Sequence, residues 1–357
     1  MKKQTLILLA IVSVMTACHK DDTQQPSDKR LAQIASSTYI NEHDNHTQGD
    51  AGRGDVIWQD STVVSFCGEA IEYNDDTISI YYTQGNITQG NLKRRAYIRN
   101  GRIARINTGD LYTGSSVAPW FTLTYNQNGE IETIERMCTA CVPTTTTFVW
   151  ENGNLVQTHK ECLNNWNSND GTYSRYEQYT YYTYDNRHTP WVGLENYWLL
   201  ENPESPCHLS KNNVTSIRTI TINQEGYHMG SGDSETETRD TVEYNYRYVY
   251  HNDYPILREV EESTSNWYKK SKEYYIYKDG TSANIPQFCT ITVPQHPENA
   301  DACGRLEMGG GKYEYGATVI LSTCQCRPVR WSDGSTDNPH TVIARGDATY
   351  TVIYTDK

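Results

Sequence analysis

From Val56 to about Gly280, short runs of alternating apolar and polar residues are separated by Asn, Asp and Gly. Alternation with a period of two marks a strand with one buried face. Clear copies are AYIRNGRIARI (96–106), FTLTYNQNGEIETI (121–134) and FVWENGNLVQT (148–158). In the second, Phe121, Leu123 and Tyr125 share one face while Thr122 and Thr124 share the other. Asn100-Gly101, Asn128-Gly129 and Asn152-Gly153 supply residues that accept the positive φ of tight hairpin turns. After the first two turns the apolar residues stand three apart, Ile103 with Ile106 and Ile131 with Ile134. That spacing breaks the period and predicts a one-residue bulge that returns both residues to one face. Weaker copies occupy 181–191, 210–217 and 249–260. The pattern predicts an all-β protein, an antiparallel hairpin meander over 56–280 forming a curved sheet or an open barrel. Trp191 to Asn202 is the one segment predicted to be helical, docked over a sheet end.

Two flanking regions read differently. From 287 to 357, GGGKYEYGATVILS (309–322) and VRWSDGSTDNPHTVIARGDATYTVIY (329–354) alternate Thr, Val and Ile between Gly-rich turns. This predicts a small β-rich module with Trp331 as its core anchor. Residues 18–55 are polar apart from a modest apolar stretch at Leu31 to Ile40. Such a segment lacks the apolar area to offset chain entropy and reads as a flexible tether.

The N-terminus carries an address. Lys2 and Lys3, the apolar run Leu6 to Met15 and the small residues before Cys18 describe a signal peptide over 1–17. That run is far shorter than the about 20 apolar residues of a membrane-spanning helix. Met15-Thr16-Ala17-Cys18 resembles a lipobox, which implies that Cys18 is the lipidated first residue of the mature chain. His19-Lys20-Asp21-Asp22 resembles the export signal of Bacteroidota surface lipoproteins. It implies that Lys20, Asp21 and Asp22 direct the protein to the outer face of the outer membrane, its partner through the lipid anchor.

The body carries two resemblances. Tyr125-Asn126-Gln127-Asn128-Gly129, Tyr184-Asp185-Asn186 with Pro190-Trp191, and Leu209-Ser210-Lys211-Asn212-Asn213-Val214 resemble YD-type hairpin repeats of Rhs-like proteins. They are closer to uncharacterised Bacteroidota lipoproteins with a porin-like β fold, a likeness that implies no activity. Gly310-Gly311, Tyr315-Gly316-Ala317, Trp331-Ser332-Asp333-Gly334, Asn338-Pro339 and Asp347-Ala348-Thr349-Tyr350 resemble the B-repeat of internalin-type proteins, and imply a spacer or adhesion module. Cys324-Gln325-Cys326-Arg327-Pro328 departs from that pattern.

Composition narrows the function. With 44 acidic against 31 basic side chains and a net charge of −13, the chain has no basic stripe for phosphates, so no nucleic-acid partner is expected. It has 28 Tyr against 4 Phe. A buried Tyr hydroxyl needs a partner, so this ratio predicts sheet faces that are partly wet. Tyr244, Tyr246, Tyr248 and Tyr250 share one face, opposite Glu243, Asn245 and Arg247. They read either as an aromatic platform for a glycan or protein ligand or as a thin core.

In an exported chain disulfides are the default. Cys289, Cys303, Cys324 and Cys326 would form two bridges in the C-terminal module. Cys141 and Cys162 fall together at the base of the hairpin turned by Asn152-Gly153, and so suit a bridge. The minor alternative is a zinc site of Cys138, Cys141, His159 and Cys162. No nucleophile elbow, metalloprotease helix, phosphate loop or dinucleotide fingerprint occurs, and no cofactor is expected. The leading expectation is a lipid-anchored surface protein that binds a glycan or extracellular protein without catalysis. The alternatives are an accessory lipoprotein or glycan-processing enzyme of a nutrient-uptake system, and a structural spacer.

Overall fold

The computed structural model describes residues 30–42, 46–60, 62–82, 92–108, 119–137, 143–162, 172–227, 234–263, 267–294, 308–323 and 329–354. The chain begins with β1 (Leu31–Asn41), β2 (Thr47–Gln59), β3 (Thr62–Phe66), β4 (Glu69–Tyr73), β5 (Thr77–Tyr82), β6 (Leu92–Arg99) and β7 (Arg102–Thr108). It continues with β8 (Trp120–Tyr125), β9 (Ile131–Met137), β10 (Thr144–Glu151), β11 (Asn154–Cys162) and β12 (Thr172–His188). The helix α1 (Glu195–Glu201) precedes β13 (Asn212–Tyr227), β14 (Ser234–His251), β15 (Tyr254–Ser263) and β16 (Tyr268–Tyr277). Last come β17 (Phe288–Thr292), β18 (Gly311–Glu314), β19 (Thr318–Leu321), β20 (Val329–Trp331), β21 (His340–Ile343), β22 (Ala348–Thr349) and β23 (Val352–Tyr354). The protein is all-β with mostly antiparallel pairs, and falls into two compact units: 55–243, and 31–54 with 244–357.

In the first unit each strand from β2 to β13 pairs antiparallel with the next. Turn chemistry explains the succession. Asn100 and Gly101 sit at φ 52° and 75°, and Asn152 and Gly153 at 53° and 77°, the paired positive values of a tight hairpin. Each of these hairpins then carries a bulge. Ile98 faces Ile103 but Tyr97 faces Arg105, so Ala104 is the extra residue and Ile103 and Ile106 are both buried. The same shift after Tyr125↔Ile131 buries Ile131 with Ile134.

These bulges have a partner on the following hairpin. The Tyr125 hydroxyl donates to the Ile103 carbonyl at 2.8 Å, Trp150 Nε1 to Ile131 at 2.8 Å and Tyr184 to Leu155 at 2.6 Å. Each acceptor lies where a bulge disrupts the ladder. An aromatic donor on the next arm therefore ties successive hairpins together.

Val63, Phe66, Ile71, Ile80, Leu92, Ala96, Ile106, Phe121, Leu123 and Ile134 form the buried face. Arg105, Thr122, Thr124, Glu132 and Glu135 lie on the exposed face. The helix α1, with Tyr197, Leu199 and Leu200 buried, covers part of the first face. Tyr197 packs on Phe66 at 4.4 Å, and Lys93 donates to Glu69 and Glu201, each at 2.7 Å. A seven-residue helix is marginal alone, and these contacts hold it.

In the second unit β1 pairs with β2 and β16, β16 with β15, and β15 with β14. The ladder from Leu31↔Tyr277 to Asn41↔Tyr268 joins the first strand to the sixteenth. This corrects the open sheet predicted from sequence, because neither strand is a free edge on that side. It also differs from the tether predicted over 18–55: Leu31–Asn41 and Thr47–Gln59 are strands. Their buried positions include Ser37, Thr47 and small Ala35 and Ala51, so composition gave little sign of them.

The C-terminal residues do not simply follow as a separate module. β18 meets β2 in parallel at Gly311↔Gly49. Tyr313 is buried against the hairpin and its hydroxyl donates to the Thr47 carbonyl at 3.0 Å. Glu314 accepts from Ser37 at 2.6 Å and from Lys272 at 2.8 Å. Trp331, fully buried among Ile291, Val319, Leu321 and Val342, anchors the core here, with Nε1 donating to the Asp337 carbonyl at 2.8 Å.

Candidate functional site

Within the first unit the aliphatic character of the buried face fails at β10 to β13. Ladder partners bring like residues into rows: Thr158 faces Thr180, which faces Thr219. One row further along, Lys160 faces Gln178, which faces Thr221. Because paired residues share a face, these rows turn hydroxyls, an amide and an ammonium toward the same side. The segment after α1 closes over them with Asn202, Glu204 and Ser205. The resulting half-open cavity is about 270 Å³ and is also lined by Tyr182 and Ile217.

The lining is tightly wired. Lys160 Nζ lies 2.9 Å from Glu204 Oε1. The Tyr182 and Ser205 hydroxyls are 3.0 Å apart, and those of Thr180 and Thr219 are 3.2 Å apart. Thr144 and Thr146, at the same end of β10, bury hydroxyls that have no hydrogen-bond partner among the described residues. Sequence reasoning passed over these threonines, since the unbroken polar run Thr144 to Thr147 shows no apolar alternation. The signal that was available is parity: Thr144 and Thr146 fall on the same face as Phe148.

The tyrosines of β14 lie in the second unit. Tyr244, Tyr246, Tyr248 and Tyr250 are half-buried while Asn245, Arg247 and Val249 are exposed, so the shared face is real. The rings lie over a charged row rather than in the open. Arg258 faces Tyr248 across one ladder and Glu273 across the next. Its guanidinium pairs with Glu273 and sits 5.1 Å from the Tyr246 ring centre. Tyr275 donates to Glu273 at 2.8 Å. Burial pushes the Tyr248 phenol well above the ordinary value, with Arg258 working the other way. Elsewhere too, tyrosines whose rings are buried find partners within the protein, as Tyr277 does at the Pro255 carbonyl, 2.8 Å away. Most of the described tyrosines, however, are half-buried rather than buried, with part of each side chain at the surface.

The remaining predicted positions are scattered. Cys18, Lys20, Asp21, Asp22, Cys138, Cys141, Cys303, Cys324 and Cys326 lie outside the described residues. Cys162 and Cys289 carry free thiols, so the bridges expected at these two are not made. The bulge at Val149/Trp150 shifts the register and sets Thr144 opposite Cys162. Cys289 is buried in the C-terminal core opposite Tyr313. His159 and Cys162, three residues apart in a regular ladder, point to opposite faces, which a shared zinc ion does not allow. His159 instead stacks on Tyr179, with ring centres 4.3 Å apart. No group of three potential metal ligands occurs among the described residues.

No known protein family and no curated protein matches the chain. Among solved structures it is similar to a porin-like protein from Bacteroides vulgatus, at 14% identity and a TM-score of 0.44, over 70% of this chain and 98% of the other. It is also similar to a porin-like protein from Bacteroides uniformis, at 10% identity and a TM-score of 0.40, over 72% of this chain and all of the other.

Proposed function

We propose that the protein is a lipid-anchored binding protein of the outer-membrane surface, held by Cys18 and taking a glycan or extracellular protein ligand without catalysis. The observation that supports this reading is the polarity of the strands. A membrane-spanning barrel turns an apolar band to lipid and polar residues inward. Here the buried positions of β6 to β9 are Ile, Leu, Phe and Ala, and the exposed ones include Arg105, Thr122, Thr124, Glu132 and Glu135. Those strands suit water, which leaves attachment to the membrane to the acyl chains. One chain binds only reversibly and two hold stably.

Mass spectrometry of the membrane-extracted protein is expected to find a diacylglyceryl group on Cys18. Protease treatment of intact cells is expected to remove the protein. An unmodified Cys18, or a protein resistant to shaving on cells and sensitive after lysis, overturns the reading. Glycan and matrix-protein arrays then identify the ligand class. Silence across them would leave the spacer role, and release of reducing ends from a bound glycan would favour the enzyme.

A further inference from the structure

We propose that the cavity between β11–β13 and the segment after α1 binds one neutral sugar ring or a polyol of that size. This goes beyond surface binding in general and stands on the geometry of the first unit alone.

Size sets the first limit. At about 270 Å³ the cavity falls just under the roughly 300–1,000 Å³ of pockets for drug-sized ligands, so it has room inside for one ring. Chemistry sets the second. Thr158, Thr180, Thr219 and Ser205 offer hydroxyls that donate or accept, and Gln178 and Asn202 offer amides. A ligand bearing hydroxyls around a ring matches such a lining, because each of its groups also does both. The Tyr182 ring and Ile217 provide the apolar patch for the C–H face of such a ring. Charge sets the third. Lys160 and Glu204 neutralise each other at 2.9 Å. A charged sugar would have to break that pair, whereas a neutral hydroxyl can bridge its two members. The lining hydroxyls are held by one another, Thr180 with Thr219 and Tyr182 with Ser205, so they form a preset polar surface where the neighbouring strands carry Ile and Phe.

The test uses the full-length lipoprotein in detergent and a panel of neutral hexoses, N-acetylhexosamines and linear polyols, with a hexuronic acid and a hexosamine as charged counterparts. Binding is read by ligand-observed saturation-transfer NMR and titration calorimetry. At least one neutral member is expected to bind saturably, and its charged counterpart to bind at least tenfold more weakly. Thr219→Val keeps the shape and removes one hydroxyl, and is expected to weaken binding tenfold or more. Thr122→Val, on the exposed face, is expected to change nothing. Lys160→Met tests the ion pair, and where it fails to fold, Thr219→Val with an unchanged melting curve carries the test. Competition by an oligosaccharide ending in the same residue marks a glycan end as the source, and its absence marks the free sugar.

No saturable binding by any neutral member overturns the proposal, as does binding that Thr219→Val leaves unchanged. Array binding unaffected by Thr219→Val would sink this site while leaving the surface-binding role intact. A bare Cys18 in a protein that still binds the sugar here would do the reverse.

Discussion

Tyr277→Phe isolates the device that ties an aromatic tip to a bulged arm. Tyr277 is 1% exposed, and its hydroxyl donates to the Pro255 carbonyl at 2.8 Å. Tyr250 faces Pro255 while Val249 faces Leu257, so the acceptor stands at a register shift. Phe keeps the ring and its edge-on contact with Tyr254, at 5.7 Å between centres. Only the donor is lost, and a buried carbonyl is left without it. Leaving one partner of a buried hydrogen bond unsatisfied costs about 1–3 kcal/mol. At roughly 2–4 °C per kcal/mol for a chain of this class, the melting temperature is expected to fall by about 2–12 °C. Urea unfolding followed by near-UV circular dichroism gives the same quantity as a shift in midpoint. Tyr81→Phe is the comparison: its hydroxyl bonds exposed Glu72 at 2.7 Å, and its loss is expected to stay within about 0.5 kcal/mol. If the two variants unfold alike, the buried donor is not what stabilises the hairpin, and the same explanation fails for Tyr125 and Tyr184.

Lys93→Met leaves Glu69 and Glu201 facing each other without their shared cation, and loosens α1. The loss in thermal unfolding is expected to lie between the about 1 kcal/mol of a surface pair and the about 3–5 kcal/mol of a buried one. Gly49→Ala places a Cβ 2.5 Å from the Tyr313 ring and 2.6 Å from the Lys312 carbonyl, and is expected to cost about 1–3 kcal/mol or to expose Tyr313 to proteolytic or fluorescence probes. In alkali, burial pushes both Tyr73, beside Glu195, and Tyr313, despite the Thr47 hydroxyl beside its phenol, up to about 12. The unfolded value is about 10, so their contribution is complete below pH 10 and is lost as pH rises toward 12. Phenolate absorbance is therefore expected to rise together with loss of near-UV signal, and ordinary titration in an intact fold would contradict it.

The sequence by itself determined the hairpins of the first unit. Asn-Gly pairs select the turn through φ, and Ile residues three apart demand the bulge, so both are local and legible. It placed one helical segment within 191–202, where the helix occupies Glu195–Glu201, and Trp331 in a core, because a large apolar group has few other places to go. The tertiary structure decided the rest. The pairing of β1 with β16 joins residues more than two hundred positions apart, and no local pattern encodes it. Strands β1 and β2 are buried at Ser37 and Thr47 because Glu314, Tyr313 and their neighbours arrive there to satisfy the hydroxyls. Thr158, Thr180 and Thr219 become one row only through the register of three strands, since each is an ordinary polar residue until its ladder partners are known. The physical reason is that turn chemistry acts within a few residues, whereas burial depends on which distant surface removes the water.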